Sequence, residues 1–404
     1  MAKLSSIAYY VTDKISSNDI SLAEYVTTDC ILQNKKGREV ATNLPSQPCS
    51  LIRYQRGDVL IANIRPYLKK VWFADIDGGA SPDVLVFRAK DGHSPSFLYA
   101  ILLQDSFFDY VMQGTKGSKM PRGDKEQILR YEMPTFSCSE ESIGTFFLNL
   151  DRKIHLNERI NQNLEAMAKQ LYNYWFVQFD FPNEEGKPYK SSGGKMVWNE
   201  KLKREIPFGW HCGNLFEIAV FTNGLACQKF RPKDDEASLP VIKIREMHDG
   251  ISADTEKVTP NIPESVKVYN GDVLFSWSAS LEVMLWAYGL GGLNQHIFKV
   301  TSANDFPKSF FYFQLLDYVD VFKKMAEARK TTMGHITQDH LQQSAIAIPD
   351  NKDIADRFEE LISPIFNQII KLHEEILNLT KQRDKLLPLL MNGQVSVNSD
   401  LSHD

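Results

Sequence analysis

The sequence contains one pattern of segments twice, at an interval of about 213 residues. The stretch "RGDVLI" (Arg56–Ile61) returns as "NGDVLF" (Asn270–Phe275), and "DVLVFRA" (Asp83–Ala89) has the counterpart "NQHIFKV" (Asn294–Val300). Self-similarity over this distance indicates that a whole domain was duplicated. We therefore expect two related α/β (α+β) domains within one chain.

The remaining segments of each copy follow in the same order. A helical stretch, "FLYAILLQD" (Phe97–Asp105) or "FFYFQLLD" (Phe310–Asp317), precedes a basic loop that contains glycine. The two loops are "GTKGSKMPRGD" (Gly114–Asp124) and "ARKTTMGHITQD" (Ala328–Asp339), and each leads into an apolar stretch. The pattern predicts strand, strand, helix, basic loop and strand in both domains.

Each copy ends in a long segment with heptad spacing, which predicts a coiled-coil helix. In the second copy the predicted buried seam is Phe358, Ile362, Ile365, Ile369, Leu372, Ile376, Leu379, Arg383, Leu386 and Leu390. Shifting this seam back by 212 residues (358 minus 146) gives Phe146, Leu150, Lys153, Asn157, Ile160, Leu164, Met167, Leu171 and Tyr174 in the first copy. The alternative is that both segments are amphipathic helices of ordinary bundles.

A single heptad helix cannot bury its own apolar stripe, so the two helices are expected to pack against each other. Helices related by a duplication pair most simply around a pseudo-two-fold axis, which makes them antiparallel. About 35 residues at ~1.5 Å per residue give a rod on the order of 50 Å. The predicted architecture is a two-domain dumbbell with one globular domain at each end of an antiparallel coiled coil.

These patterns divide the chain into six predicted segments. The globular domains are placed at residues 1–137 and 206–350, the helices at 138–180 and 351–393, a linker at 181–205 and a flexible tail at 394–404. The content of proline, glycine, serine and charged residues is what marks the linker as a surface connector.

Composition indicates the cellular compartment of the protein and limits the kind of surface that could bind nucleic acid. Five cysteines form no CxxC pair, which indicates reduced thiols in a cytoplasmic protein. No apolar run approaches the ~18 to 20 residues needed to span a bilayer. Because the net charge is −5, any nucleic-acid surface must be a local patch.

The sequence contains no recognisable catalytic or metal-binding motif. It has no GxxxxGK[ST] phosphate loop, no GxGxxG dinucleotide loop, no HExxH or GxSxG, and no paired cysteines with zinc-ligand spacing. A binding protein is therefore favoured over an enzyme, and neither a metal nor a cofactor is expected in this chain.

Polar loops at matching positions of both copies contain the groups that contact DNA. Arginine, asparagine, glutamine and histidine read base edges, whereas lysine, serine and threonine more often hold phosphates. Candidates in the first copy are Arg65, Lys69, Lys70, Lys116, Lys119, Arg122 and Lys125. Candidates in the second copy are Asn223, Gln228, Lys229, Arg231, Ser276, Asn294, Gln295, His296, Arg329, Lys330, Thr331, Thr332 and His335. Solvated surface loops are the alternative for each cluster.

Four segments of the chain carry a family resemblance: "LDRKIHLNERINQNLEAMAKQLYNYWFVQFD" (Leu150–Asp180), "IPFGW" (Ile206–Trp210), "TTMGHIT" (Thr331–Thr337) and "LLPLLMNGQV" (Leu386–Val395). With these segments, the whole chain resembles the specificity subunit of type I restriction–modification systems. One departure is that the first copy begins with "MAKLSSIAYYVTDK" and lacks the equivalent of "IPFGW". The pseudo-symmetry is therefore expected to be incomplete at the N-terminus.

The resemblance implies a non-catalytic, DNA-binding subunit with two target recognition domains. Each domain would read half of a split, asymmetric DNA sequence, and the antiparallel coiled coil would set the gap between the halves. Two modification subunits would bring S-adenosylmethionine and methylate adenine. Restriction subunits would bring ATP and Mg²⁺, translocate DNA and cleave it.

Three other functions stay open at this point. The chain could be a DNA binder that acts without modification subunits, or a coiled-coil adaptor whose domains bind proteins. The third alternative is an enzyme with an unrecognised site, and it is weakened because the two copies share no acid, base or metal-ligand set.

Overall fold

A computed structural model describes residues 2–115, 119–133, 139–233, 236–252, 254–278, 280–328, 336, 338–391 and 394. The chain divides into two compact units, each of which is described by itself. Unit 1 contains Met1–Leu156 and Asn378–Asp404, and unit 2 contains Asn157–Leu377. Both boundaries fall within the long helices that the heptad patterns predict.

Among the described residues, unit 1 contains ten short strands, four short helices, part of the long helix that follows them, and the end of a second long helix from residues 378–391. In chain order they are β1 (Ala2–Lys3), α1 (Leu4–Ile7), β2 (Ala8–Tyr10), β3 (Lys14–Ser16), β4 (Tyr25–Val26), β5 (Ser50–Tyr54), β6 (Val59–Ala62), β7 (Val71–Phe73), β8 (Gly78–Ala80), β9 (Val84–Ala89), α2 (Pro95–Leu102), α3 (Asp105–Gln113), α4 (Lys125–Leu129), β10 (Glu132–Met133) and α5 (Glu140–Tyr172), which continues into unit 2.

Unit 2 repeats this arrangement with a hairpin added before it. The elements are β11 (Met196–Asn199), β12 (Arg204–Pro207), β13 (Trp210–Gly213), α6 (Leu215–Ile218), β14 (Ala219–Asn223), β15 (Leu239–Ile242), α7 (Ile244–Asp249), β16 (Lys257–Val258), β17 (Lys267–Val268), β18 (Val273–Ser276), β19 (Glu282–Leu285), β20 (Gly291–Leu293), β21 (Ile297–Ser302), α8 (Lys308–Ala328), α9 (Gln338–Gln342), β22 (Ile346–Pro349) and α10 (Asp353–Met391).

The sheets of the two units follow one plan. The main sheet is antiparallel, in the order β2-β9-β6-β7 in unit 1 and β14-β21-β18-β19 in unit 2. A second sheet in each unit contains one parallel pair, β4 with β8 or β15 with β20. The outer strand differs, because β3 extends the unit 1 sheet beside β5, whereas β16 extends the unit 2 sheet beside β15. The predicted duplication is confirmed in this topology.

The described ladders of the two units differ in length at this point. In unit 1 the pair β1–β10 joins two residues of each strand, whereas the pair β13–β22 in unit 2 joins four. Of the segment "IPFGW", Trp210 takes part in this ladder and pairs with Pro349. The asymmetry expected at the N-terminus stays a prediction, because residues 1 and 134–138 lie outside the described residues.

The repeated Gly-Asp step explains why the two copies share the stretch before β6 and β18. Gly57 and Gly271 have φ angles of 92° and 89°, and the backbone of a residue with a side chain would be strained at these angles. The following aspartates accept from the backbone three residues earlier, Asp58 from Gln55 and Asp272 from Tyr269, each at 2.8 Å. This turn therefore starts the central strand of each main sheet in the same way.

The central strands face two apolar clusters at once. In β18, Val273 and Phe275 pack into a cluster with α8, while Leu274 packs on the opposite face with Trp286 and Leu293. The four residues of β6 are likewise all buried, which explains why neither strand alternates with polar residues.

Segments of α5 and α10 contact each other in both units. In unit 1, Asp151 contacts Arg383 at 3.1 Å. In unit 2, the Asn157 amide donates to Glu375 at 2.9 Å, and the ring of Tyr172 lies 6.3 Å from that of Phe358. Within unit 2 the partner number falls as the α5 number rises, so the antiparallel pairing that the heptads predict is present there.

The buried stripe of α5 lies one residue away from the predicted seam. Phe147, Ile154, Asn161, Ala168 and Tyr172 are buried, together with Asp151 and Asn157. The predicted seam residues Ile160 and Met167 are 37% and 44% exposed, and Lys153 is exposed, so the seam was wrong at these positions. The reason is the shift between the copies, which is 211 residues (358 minus 147) rather than 212.

The other predicted seam residues of α5 flank this stripe. Phe146 and Leu150 are partly buried against the unit 1 core, and Leu164 and Leu171 against the unit 2 core. Tyr174 is exposed. On α10, the members Phe358, Ile362, Ile369, Leu372, Arg383 and Leu390 are buried, and Ile365, Ile376, Leu379 and Leu386 are half-buried.

The segment predicted as a linker, residues 181–205, packs as part of unit 2. Phe181 is buried and stacks on Trp210 and Tyr189, with ring centroids 5.7 and 4.8 Å apart. The strands β11 and β12 form an antiparallel hairpin in this segment. Most residues of this segment are polar, which is why its composition predicted a connector. A few aromatic side chains nevertheless pack it against unit 2.

Asp151 and Arg383 form a buried ion pair in unit 1, at 4% and 3% exposure. Tyr99 donates its hydroxyl to the same carboxylate at 2.7 Å. With the shift of 211 residues, the corresponding pair in unit 2 is Ile362 and Tyr172, which is not charged. By this alignment, unit 1 has an ion pair at the positions where unit 2 has an uncharged tyrosine and isoleucine.

Among the described residues, no helix combines the length and apolar character that crossing a membrane needs.

Replacing a buried isoleucine of α5 tests the corrected seam. Ile154→Ala should lower the free energy of unfolding by about 2 to 5 kcal/mol, because Ile154 is 4% exposed. Ile160→Ala, the matched change at an exposed position, should cost less than about 1 kcal/mol. Denaturant titration of both variants measures this, and equal losses would contradict the placement of the stripe.

Removing one partner of the buried ion pair should destabilise the protein strongly. In a Tyr99→Phe background, Asp151→Ile should cost about 3 to 5 kcal/mol because Arg383 loses a buried counter-ion. The double variant Asp151→Ile, Arg383→Tyr copies the unit 2 pair and should recover most of this loss. Urea unfolding compares the variants, and a double variant as unstable as the single one would disprove the equivalence of the two layers.

Candidate nucleic-acid interface

Three segments meet at one edge of the main sheet in unit 1. The Asn63 backbone, after β6, donates to the Asp83 carbonyl before β9 at 2.9 Å. Gly123 donates to the Asn63 carbonyl at 3.3 Å, and Arg65 to the Pro121 carbonyl at 2.8 Å. We call residues 62–65, 83 and 119–123 the unit 1 edge.

Unit 2 brings the corresponding segments together with the same backbone bonds. The Trp277 backbone, after β18, donates to the His296 carbonyl before β21 at 3.3 Å. Ile336 donates to the Trp277 carbonyl at 2.9 Å, as Gly123 does to Asn63 in unit 1. We call residues 223–231, 276–278, 294–296 and 336 the unit 2 edge.

The unit 1 edge presents cations to solvent. Arg65 is exposed in the left-handed conformation, with φ 54°, and Lys119 is also exposed. Arg122 is exposed and pairs with Asp83 at 3.2 Å, which holds its guanidinium over the start of β9. These side chains supply positive charge where β6 ends and β9 begins.

Two predicted contact residues of unit 1 are engaged inside the protein. Lys70 donates its ammonium to the Thr28 carbonyl at 2.6 Å. Lys69 pairs with Asp105 at 2.8 Å, and the buried Lys35 pairs with the same carboxylate at 2.9 Å. Burial alone would raise the pKa of Asp105, but the two ammonium groups lower it below its ordinary value. Lys69 and Lys70 thus hold the loop after β6 in place.

The other candidates of unit 1 divide into two groups. Lys125 is exposed at the first residue of α4, after the helix-capping Asp124. Lys116 lies outside the described residues.

In unit 2 a tryptophan connects the ends of three segments. The Trp277 indole N–H donates to the Asn223 side-chain oxygen at 3.2 Å. Its ring lies 5.6 Å from the His296 ring and 5.9 Å from the Phe298 ring. The Gln295 amide lies 3.3 Å from the His296 ring nitrogen Nε2. Asn223, Gln295 and His296 are therefore brought together, as the sequence suggested.

The loop after β14 lies against the start of β21. Leu225 bridges to Asn294, and a side-chain carbon at Gly224 would lie 2.3 Å from the Asn294 carbonyl oxygen. Only glycine permits this approach. Gln228, Lys229 and Arg231 follow in the same loop and are exposed.

Ser276 and Asn294 are corrections to the candidate set. Ser276 is fully buried, and its hydroxyl donates to the Ser280 carbonyl and accepts from the Glu282 backbone. Asn294 is 9% exposed and accepts from the His296 backbone at 3.3 Å. Both side chains are buried because they form hydrogen bonds with the backbone of the loops at the unit 2 edge. They therefore do not face solvent. Arg329, Lys330, Thr331, Thr332 and His335 lie outside the described residues.

Trp277, Asn63 and Asp83 are not among the residues predicted from the sequence. The signal was available, because Asn63 and Trp277 directly follow the repeated GDVL strands, and Asp83 and His296 directly precede the next shared strand. A residue-by-residue alignment of the copies would have placed all of them at one edge.

Among the described residues, no group of three histidine, cysteine, aspartate or glutamate side chains could hold a metal ion. The two edges offer hydrogen-bond donors, acceptors, an aromatic ring and cations. These groups suit recognition of a polyanion with readable base edges.

Comparison with known proteins finds similarity to one group of proteins. Residues 207–380 match the family model described as the type I restriction modification DNA specificity domain. The type I restriction enzyme MjaIX specificity subunit of Methanocaldococcus jannaschii is 24% identical over 95% of this chain and 86% of that protein. The type I restriction enzyme HindI specificity subunit of Haemophilus influenzae is 22% identical over 97% of this chain and 98% of that protein.

A solved structure has the same fold. The crystal structure of the S subunit of a type I restriction-modification system from M. genitalium matches with a TM-score of 0.59 and 12% identity, over 96% of this chain and 95% of that one. The likeness covers both copies of the duplicated domain. Over nearly its whole length, the chain is therefore similar to specificity subunits of type I restriction–modification systems.

Proposed function

We propose that the two edges bind two different blocks of one split DNA sequence. The observation that carries this proposal is that both units bring the same three segments together with the same backbone bonds, but with different side chains. Asn63 and Asp83 stand in unit 1 at the positions that Trp277 and His296 take in unit 2. A shared frame with unlike contact groups favours an asymmetric target.

The proposed recognition domains are residues 1–137 and 206–350, with 138–180 and 351–393 as the helices, 181–205 as the connecting segment and 394–404 as the tail. Paired helices of fixed length are suited to set the distance between the DNA blocks. The gap would then be several base pairs, with the block centres about one helical turn apart.

Partner subunits supply the chemistry in this proposal. Two modification subunits bind this chain and transfer a methyl group from S-adenosylmethionine to adenine in each block. Restriction subunits use ATP and Mg²⁺ to translocate and cleave unmethylated DNA. The complex would act on DNA in the cytoplasm, and this chain would contribute recognition alone.

The test is methylation sequencing of a methyl-free host that expresses this chain with its neighbouring modification gene. The expected result is N6-methyladenine in two short blocks separated by a fixed unspecified gap. A single contiguous motif, or a host without methylation although both proteins associate, would overturn the proposal.

The helix length should determine the gap. Deleting seven residues within α10 removes about 10 Å of helix, which corresponds to roughly three base pairs. The methylated motif should then show a changed gap, or assembly with the modification subunit should be lost. An unchanged gap in an assembled complex would contradict the role of the helices.

The exposed cations of unit 1 should contribute to the salt dependence of DNA binding. Arg65→Gln and Lys119→Gln should each weaken binding to all sequences and reduce the slope of log affinity against log salt by about one. Lys90→Gln is the matched control, since Lys90 follows the far end of β9, roughly 20 Å from the unit 1 edge. Equal effects of all three changes on titrations at several salt concentrations would contradict the assignment.

A further inference from the structure

The side chain of Asn223 is held in one orientation by a neighbour that can only donate. The Trp277 indole nitrogen lies 3.2 Å from the Asn223 oxygen Oδ1. An indole N–H has no acceptor capacity, so the amide must turn its oxygen toward the ring. The amide NH₂ group of Asn223 therefore points away from Trp277.

Trp277 is itself fixed from several sides. Its backbone N–H donates to His296 and its carbonyl accepts from Ile336. Its ring contacts the rings of His296 and the buried Phe298, which is also the strand partner of Asn223 in the main sheet. The ring thus holds Asn223 against the same two strands that position His296.

Asn223 is solvent exposed at the last residue of β14, beside the other polar groups of the unit 2 edge. An exposed amide ordinarily rotates between two orientations that exchange donor and acceptor. With its oxygen bound to the indole, Asn223 presents N–H donors to anything that docks on this edge. That polarity distinguishes bases, because guanine, adenine and thymine offer acceptors in the major groove and cytosine offers only an amino donor.

We propose that Trp277 is a positioning residue for DNA readout, which fixes Asn223 so that its NH₂ group selects a base with a major-groove acceptor. The inference rests on the proposed function, since it requires the unit 2 edge to contact DNA. It assigns one base-reading contact to Asn223 and excludes cytosine at the contacted position.

The test compares methylated motifs of the complete complex in a methyl-free host. Trp277→Phe keeps an aromatic ring and removes the N–H, and Asn223→Ala removes the amide. Both changes should relax discrimination at the same single base pair, by about tenfold, and only in one block of the motif. Trp198→Phe is the matched control, because Trp198 is 57% exposed on the β11–β12 hairpin and its indole donates to Glu200.

Asn223→Asp supplies a second readout, an exchange of base preference, which altered packing cannot produce. A carboxylate only accepts, so the preferred base at that position should change to one that offers an amino group, cytosine or adenine. The other block should stay unchanged. This exchange of base preference distinguishes positioned readout from a general loss of stability.

The outcomes separate the inference from the function on which it rests. A wild-type complex without a split motif would overturn the proposed function. A split wild-type motif that Trp277→Phe leaves intact, or relaxes at a different position from Asn223→Ala, would overturn the inference alone. If the wild-type base at that position is guanine or thymine, an Asn223→Asp complex that keeps the same base preference would also overturn it.

Discussion

Neither long helix of this protein can bury its apolar stripe alone, and the rest of the structure depends on how that stripe is covered. Within unit 1 and within unit 2, segments of α5 and α10 contact each other and pack on the core of the unit, and in unit 2 the contacts run antiparallel. Phe147, Leu387 and Leu390 join the unit 1 core, as Tyr172, Phe358 and Ile362 join the core of unit 2. The helices are therefore part of each globular core as well as partners of each other.

The layers between the helices differ in chemistry along their length. Unit 1 contains the buried pair of Asp151 and Arg383, and unit 2 contains hydrogen bonds from Asn157 and Asn161 to Glu375 and His373. Buried polar groups stabilise only the register that satisfies them, because a slip would leave them unpaired. This distribution favours one alignment of the two helices over the alternatives that apolar heptads alone would allow.

The duplication separates what each unit must preserve from what it can vary. Both units keep the glycine and aspartate that start the central strand, and both keep the backbone bonds that join three segments at the sheet edge. The side chains at that edge differ, with Arg65 and Arg122 in unit 1 and Trp277, Asn223 and His296 in unit 2. A conserved frame with unlike contact groups is what reading two different DNA blocks requires.

Much of this fold was predictable from the sequence, because the repeat and the heptads are long-range patterns. The duplicated α/β topology and the antiparallel pairing of the helices follow from them. The seam on α5 was misplaced by one residue, since weak similarity between the copies left their alignment uncertain where polar residues such as Asp151 replace apolar ones. Trp277 and the burial of Ser276 were missed because composition locates polar loops but does not say which side chains face solvent. Lys69 and Lys70 were candidates for the same reason, and only coordinates show that Asp105 and the Thr28 carbonyl engage them.

The central claim is that one chain recognises two separate blocks of DNA through two edges of related structure. The assembled complex can be used to select bound duplexes from a fully randomised library. Sequencing the selected duplexes then measures which DNA sequences are recognised, without relying on methylation. The selected duplexes should contain two enriched blocks of different sequence at a constant separation, with no enrichment between them. Enrichment of one uninterrupted block, or of two blocks at variable separation, would contradict it.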